Sequence, residues 1–148
     1  EVLAAHPNEA DDIVQILPEK LEAINVALKG TPFEVSYRVL NELTIMVGVM
    51  LDYAPDKELE KIVDNALDRI LLMKILPRIE GDSDMFNLKT AQTVGGVTCH
   101  NRLEWLRELA PSINYSEEEG KDHQQTAKKK IEEMIERLEN QEFTRFWP

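Results

Sequence analysis

The sequence predicts an all-α domain, a compact bundle of about five or six helices. Three observations lead there. Apolar residues recur at three- and four-residue spacing through most of the chain. Proline and glycine punctuate those runs at Pro18, Gly30, Pro32, Pro55, Pro77, Gly81 and Pro111. Only the stretch near residues 82–100 lacks the helical period and reads as an irregular loop region. The 148 residues suit a single domain spanning 1–148. With 43% hydrophobic and 30% charged residues the chain can bury a core, which argues against wholesale disorder.

Residues 8–16 predict a short helix stopped at Leu17-Pro18. Pro18 suits the first turn of a second helix, where a missing N–H costs nothing. Leu21, Ile24, Ala27 and Leu28 give that helix its apolar face, and Gly30 its stop. Asn25 falls near the face and reads as a polar residue of the helix surface. Thr31-Pro32 marks a turn. Ser36 is a fitting N-cap for a helix over 37–52. Val39, Leu40, Leu43, Met46, Val47 and Met50 face its core, and Gly48 offers a point of close packing.

Ala54-Pro55-Asp56 breaks the chain again. A third long helix is predicted over 57–75, burying Leu59, Ile62, Val63, Ala66, Leu67, Ile70 and Leu71, and ended or kinked by Pro77 and Gly81. Val94-Gly95-Gly96-Val97 is a loop or a short hairpin. Residues 101–109 predict a short helix around Leu103, Trp105, Leu106 and Leu109. Asn114–Gly120 reads as an acidic loop. The last helix, over 123–140, carries Ile131, Met134, Ile135 and Leu138 on one face. Residues 141–148 bring Phe143, Phe146 and Trp147 together, which predicts a docked aromatic tail.

Charge and motif content narrow the function. Net charge is −11, from 28 acidic and 17 basic residues, so the chain as a whole repels DNA. No apolar run approaches the roughly 20 residues of a membrane helix. The opening EVLAAHPNEADD is unlike a signal peptide. One cysteine, Cys99, excludes an internal disulfide and suits a cytoplasmic setting. The chain opens on Glu1 rather than methionine, which points to a fragment of a longer protein.

No GxxxxGK[ST] loop is present, so the chain has no phosphate cradle of its own. His6, His100 and His123 are scattered, and no metal-ligand spacing occurs. Cys99-His100 are neighbours in sequence, but a nucleophile and its base must converge in space. Asp11-Asp12 and Glu117-Glu118-Glu119 lie in polar stretches and read as solvated charge. Lys128-Lys129-Lys130 precedes Glu132-Glu133 and reads as a charged helix surface. No catalytic residue and no metal ligand is expected, and the chain alone is not expected to be an enzyme.

Four segments stand out in order: LPEKLEAINVAL at 17–28, FEVSYRVLNEL at 33–43, MKILPRIEGD at 73–82, and KKKIEEMIERLENQEFTRFWP at 128–148. Together they resemble the C-terminal region of McrB-type AAA+ proteins, the nucleotide-driven subunits of modification-dependent restriction systems. The likeness runs from about residue 17 to 148 and is loose over 83–125.

The resemblance implies a helical lid that packs on an upstream AAA+ core of the same chain, in a ring, expected to be a hexamer. It implies an NTP, GTP or ATP, and Mg²⁺ in the parent chain, with no cofactor held by these residues alone. It implies a McrC-like nuclease as partner, DNA contacted only through other domains, and no membrane.

Tyr37-Arg38 matches the place where such lids carry a second-sensor arginine. Arg38 is therefore the candidate nucleotide contact, since a guanidinium stays charged and pairs with phosphate oxygens. The alternatives for Arg38 are an ion pair with a neighbour such as Glu34 or Glu42, or plain solvation. Arg78, Phe146 and Trp147 are candidate subunit contacts, with local packing as the alternative. The rival to the whole reading is a free-standing acidic helical adaptor that binds a basic partner.

Overall fold

The structure, a computed structural model, describes residues 1–113 and 125–148. The acidic loop expected over Asn114–Gly120, the run Glu117-Glu118-Glu119 and His123 lie outside the described residues.

Helix α1 (Val2–Ala5) is a single turn that leads into α2 (Ala10–Leu28). The pattern of the sequence predicts a stop at Leu17-Pro18, but α2 runs straight through it. Proline removes one helical bond, to the carbonyl four residues earlier. That carbonyl belongs to Val14, a residue 56% exposed, so water can replace the partner. Leu17 and Leu21 on the inner face are buried and hold the helix through the interruption.

Helix α3 (Tyr37–Tyr53) buries Val39, Leu43, Val47 and Leu51, spaced four apart. Gly48 does provide close packing, because a Cβ there would lie 2.8 Å from a Val2 methyl. Helix α1 thereby sits on α3, and His6 Nε2 lies 2.9 Å from Asp52 Oδ1 near the same contact. Helix α4 (Leu59–Ile70) passes into a π turn at Leu71–Ile75 and a 3-10 turn at Leu76–Arg78. Pro77 cannot donate to a carbonyl in the preceding turn, and the winding changes on its approach. Leu71, Ile75, Leu76 and Ile79 stay buried throughout.

The rest of the chain departs from the expected bundle. Strand β1 (Glu80–Asp82) is followed by the one-turn helix α5 (Ser83–Phe86). Strands β2 (Asn87–Val94) and β3 (Val97–Asn101) precede α6 (Arg102–Leu109), and α7 (Ala127–Gln141) precedes β4 (Phe143–Arg145). Strand β1 pairs antiparallel with β4, setting Glu80 opposite Arg145, Gly81 opposite Thr144 and Asp82 opposite Phe143. Strands β2 and β3 form an antiparallel hairpin.

The domain is thus mixed α/β, with seven helices and two small sheets among the described residues, and the all-α expectation is overturned. The hairpin also replaces the irregular loop expected near 82–100. Its turn depends on Gly95 and Gly96, at φ +57° and +81°, the left-handed region that two-residue hairpin loops require. A break in register between Asn87 and Gln92 bends β2.

One core joins these elements. Phe86 from α5, Ile13 and Ile24 from α2, Leu43 from α3, Leu67 from α4 and Ile131 from α7 are each 2% exposed or less. Each such side chain contributes about 1.5–3 kcal/mol when removed from water. Arg102, at the start of α6, donates to the Ala27 carbonyl (2.9 Å) at the end of α2. No described helix is long and apolar enough to cross a membrane.

Candidate functional site

The turn between α2 and α3 is held at several points. Thr31 Oγ1 donates to the Leu28 carbonyl (2.6 Å) and accepts from the Phe33 amide (3.2 Å). The Asn25 amide clamps Val35 on both sides: its Nδ2 donates to the Val35 carbonyl at 3.0 Å, and its Oδ1 accepts from the Val35 N–H. Asn25 is half-buried and acts as a substitute strand edge, not as the surface polar group its position in the sequence suggests. From the 3-10 turn that follows α4, Arg78 Nη2 donates to the Pro32 carbonyl (3.3 Å). Arg78, a candidate subunit contact from the sequence, thus makes a local tie.

This scaffold delivers Ser36, Tyr37 and Arg38 to the surface. Ser36 takes the N-cap position in an extended conformation, but its hydroxyl makes no capping bond. The first turn of α3 contains no acidic residue. A helix start leaves its first N–H groups without helical partners and carries partial positive charge. Tyr37 is 86% exposed. Arg38 is exposed and has no hydrogen-bond or ion-pair partner among the described residues.

The two carboxylates best placed in sequence to pair with Arg38 are committed elsewhere. Glu34 accepts from the Gly30 amide (3.2 Å), and Glu42 lies 3.6 Å from Lys74 Nζ. Beside the arginine, a groove of about 710 Å³ opens between α2 and the start of α3. Leu21, Val35, Tyr37 and Leu40 line it, with Glu19 and Glu22 at its edge. Chemically, an unpaired guanidinium next to an uncapped helix start can bind one anionic oxygen group. It cannot cradle a triphosphate alone.

The other candidates from the sequence are dispersed. Cys99 is buried, and desolvation first, then Glu104 and Glu108, push its thiol above the ordinary range. His100 is exposed, as expected for neighbours on a strand that point to opposite faces, so the pair does not converge. The lysine run spreads out: Lys128 donates to Ser112 (3.0 Å), and Lys130 lies 4.7 Å from the Phe146 ring centre. Among the described residues no group of His, Cys, Asp and Glu could hold a metal ion.

The tail is held by the pairing of β4 with β1 and by the Arg137 side chain. Arg137 Nη1 donates to the carbonyls of Arg145 (2.8 Å) and Trp147 (3.0 Å), and Thr144 is fully buried. Phe146 is half-buried and meets Trp147 edge-to-face at 4.9 Å, while Trp147 itself is 60% exposed.

Sequence reasoning missed Asp68. It is fully buried in α4 and accepts from the Ala127 N–H (2.7 Å) at the start of α7. Arg69 Nη2 lies 2.6 Å from the same carboxylate and donates to the Gln125 carbonyl (2.8 Å). The available signal was a carboxylate set inside the apolar run ALDRILL.

Fold and site together define a small mixed α/β module that presents an exposed arginine at the uncapped start of α3. The chain matches the family model described as a domain of unknown function, DUF8727, over residues 3–143, and it belongs to that family. No curated protein and no solved structure matches it.

Proposed function

We propose that this domain is the C-terminal lid of a McrB-type AAA+ motor, and that Arg38 contacts the phosphates of a nucleotide bound on the upstream core. One observation carries the reading. Within the segments that resemble such motors, most of the distinctive residues have structural work. Asn25 clamps Val35, Arg78 ties Pro32, and the segment ending at Asp82 pairs with the tail segment through β1 and β4. The side chains of Tyr37 and Arg38 are exposed and make no hydrogen bond or ion pair among the described residues. An exposed arginine at an uncapped helix start is suited to a ligand brought by another domain.

In this reading the NTP and Mg²⁺ belong to the core, and Arg38 registers the terminal phosphate. The lid then rotates with nucleotide state and passes that change to a neighbouring ring subunit. Such a ring would act in the cytoplasm beside a McrC-like nuclease, with DNA gripped by other domains, in keeping with the −11 charge.

The test is Arg38→Ala in the full parent chain. A charged hydrogen bond contributes about 1.5–3 kcal/mol, so NTP turnover falls about 10- to 100-fold. Arg38→Lys keeps the charge without the fork and recovers part of the rate. The thermal midpoint stays unchanged in both. Wild-type turnover in the alanine variant removes the sensing role.

A further inference from the structure

A second groove, of about 440 Å³, lies between α2 and α4 and shares only Glu19 with the groove beside Arg38. Its apolar floor is the partly buried Ile16 and Leu59, with the buried Val63 beneath them. Asp12 and Glu19 of α2 face Glu60 and Asp64 of α4 around it, with Lys20 as the one cation among its lining residues. None of the four carboxylates has an ion-pair partner among the described residues. Desolvation raises the Asp64 carboxyl most, Lys20 opposes it, and Glu60 adds a smaller upward push. Asp64 is half-buried, the other three carboxylates are exposed, and the four together face a single lysine around the groove.

Its shape and charge select the occupant. A purely apolar ligand would cover the floor but leave four carboxylates desolvated and repelling each other. A bare metal ion has no cluster of ligands here, because no described group of three or more acidic, His or Cys residues could hold one. Two helices flanking an apolar floor form the trough in which a third helix beds its own apolar face. Lysine or arginine side chains on that helix would lay their stems along the apolar surface and set their charges on the rim.

We propose that the α2–α4 groove receives a basic amphipathic helix of a partner protein, its apolar face on Ile16 and Leu59 and its cations against Asp12, Glu19, Glu60 and Asp64. The site is independent of nucleotide sensing, so Arg38→Ala leaves it intact.

The probe is a labelled amphipathic peptide of leucine and lysine, about 18 residues or five helical turns, followed by fluorescence anisotropy at about 0.15 M salt. Saturable binding is expected, with methyl NMR shifts at Ile16, Leu59 and Val63 and none at Leu40. Glu19→Lys with Glu60→Lys weakens it at least about tenfold. The equal charge reversal Glu136→Lys with Glu139→Lys, at exposed positions on α7, changes it by less than about twofold. Replacing the peptide lysines by glutamate abolishes binding and needs no variant that might fail to fold. Absent binding, equal weakening by both reversals, or retention of the glutamate peptide each overturns the proposal.

Discussion

The starts of α3 and α7 meet the same physical problem in opposite ways. Each begins with amide N–H groups that the helix cannot pair and with partial positive charge. At α7, whose own first turn also lacks an acidic residue and carries Lys128 and Lys129, the cap and a carboxylate from α4 close the end. Thr126 Oγ1 accepts from Lys129 N–H (3.2 Å), the buried Asp68 carboxylate takes the Ala127 N–H, and Arg69 holds the Gln125 carbonyl. At α3 the N-cap serine makes no bond, no carboxylate enters the first turn, and an unpaired arginine adds to the positive charge. The difference does not reflect a loose approach to α3, since Thr31, Asn25 and Arg78 fix the turn before it. One start fastens the chain to its own core. The other is held firmly in place and left open.

That contrast breaks most visibly at Asp68. Asp68→Ala strips the partner from the buried Ala127 N–H and removes the Asp68–Arg69 ion pair, which costs about 2–3 kcal/mol and lowers the urea midpoint. Asp68→Asn keeps one acceptor oxygen, loses the charge, and falls between the two. Thr126→Ala removes a single cap and costs about 1 kcal/mol in the same titration. Arg38→Ala, at the open start, stays within about 0.5 kcal/mol of the parent domain. A large loss there, or none at Asp68, would show that the two starts do not differ in kind.

The elements readable from the sequence are those whose reason is local. Helices α3, α4 and α7 follow from apolar residues at helical spacing, and Ser36, Gly48 and the Pro55 break take the positions their chemistry predicts. The errors come from distant partners. Strand β1 has three residues, too few for alternation to register, and exists because residues 143–145 pair with it. Strand β2 is mostly exposed and shows no apolar period. The Asp68 bond to Ala127 spans 59 positions, and no window of sequence contains both ends. Pro18 misled because the buried leucines around it outweigh one lost helical bond. Arg38 looks like any exposed arginine in composition. What marks it is structural: it stands exposed at an uncapped helix start with no hydrogen-bond or ion-pair partner among the described residues.

The smallest change sharpens the comparison furthest. Ser36→Asp gives α3 the carboxylate that α7 already has from Asp68. The backbone at Ser36 is already in the extended N-cap conformation, so an aspartate can reach the free N–H groups of the first turn without strain. The domain should gain about 0.5 kcal/mol, seen as a small rise in thermal midpoint. The same carboxylate would pair with Arg38 and repel an incoming phosphate, so nucleotide turnover of the parent chain should fall while the fold strengthens. A start left open only by chance would gain the stability without losing turnover. Stability and activity moving in opposite directions would show that the missing cap belongs to the function.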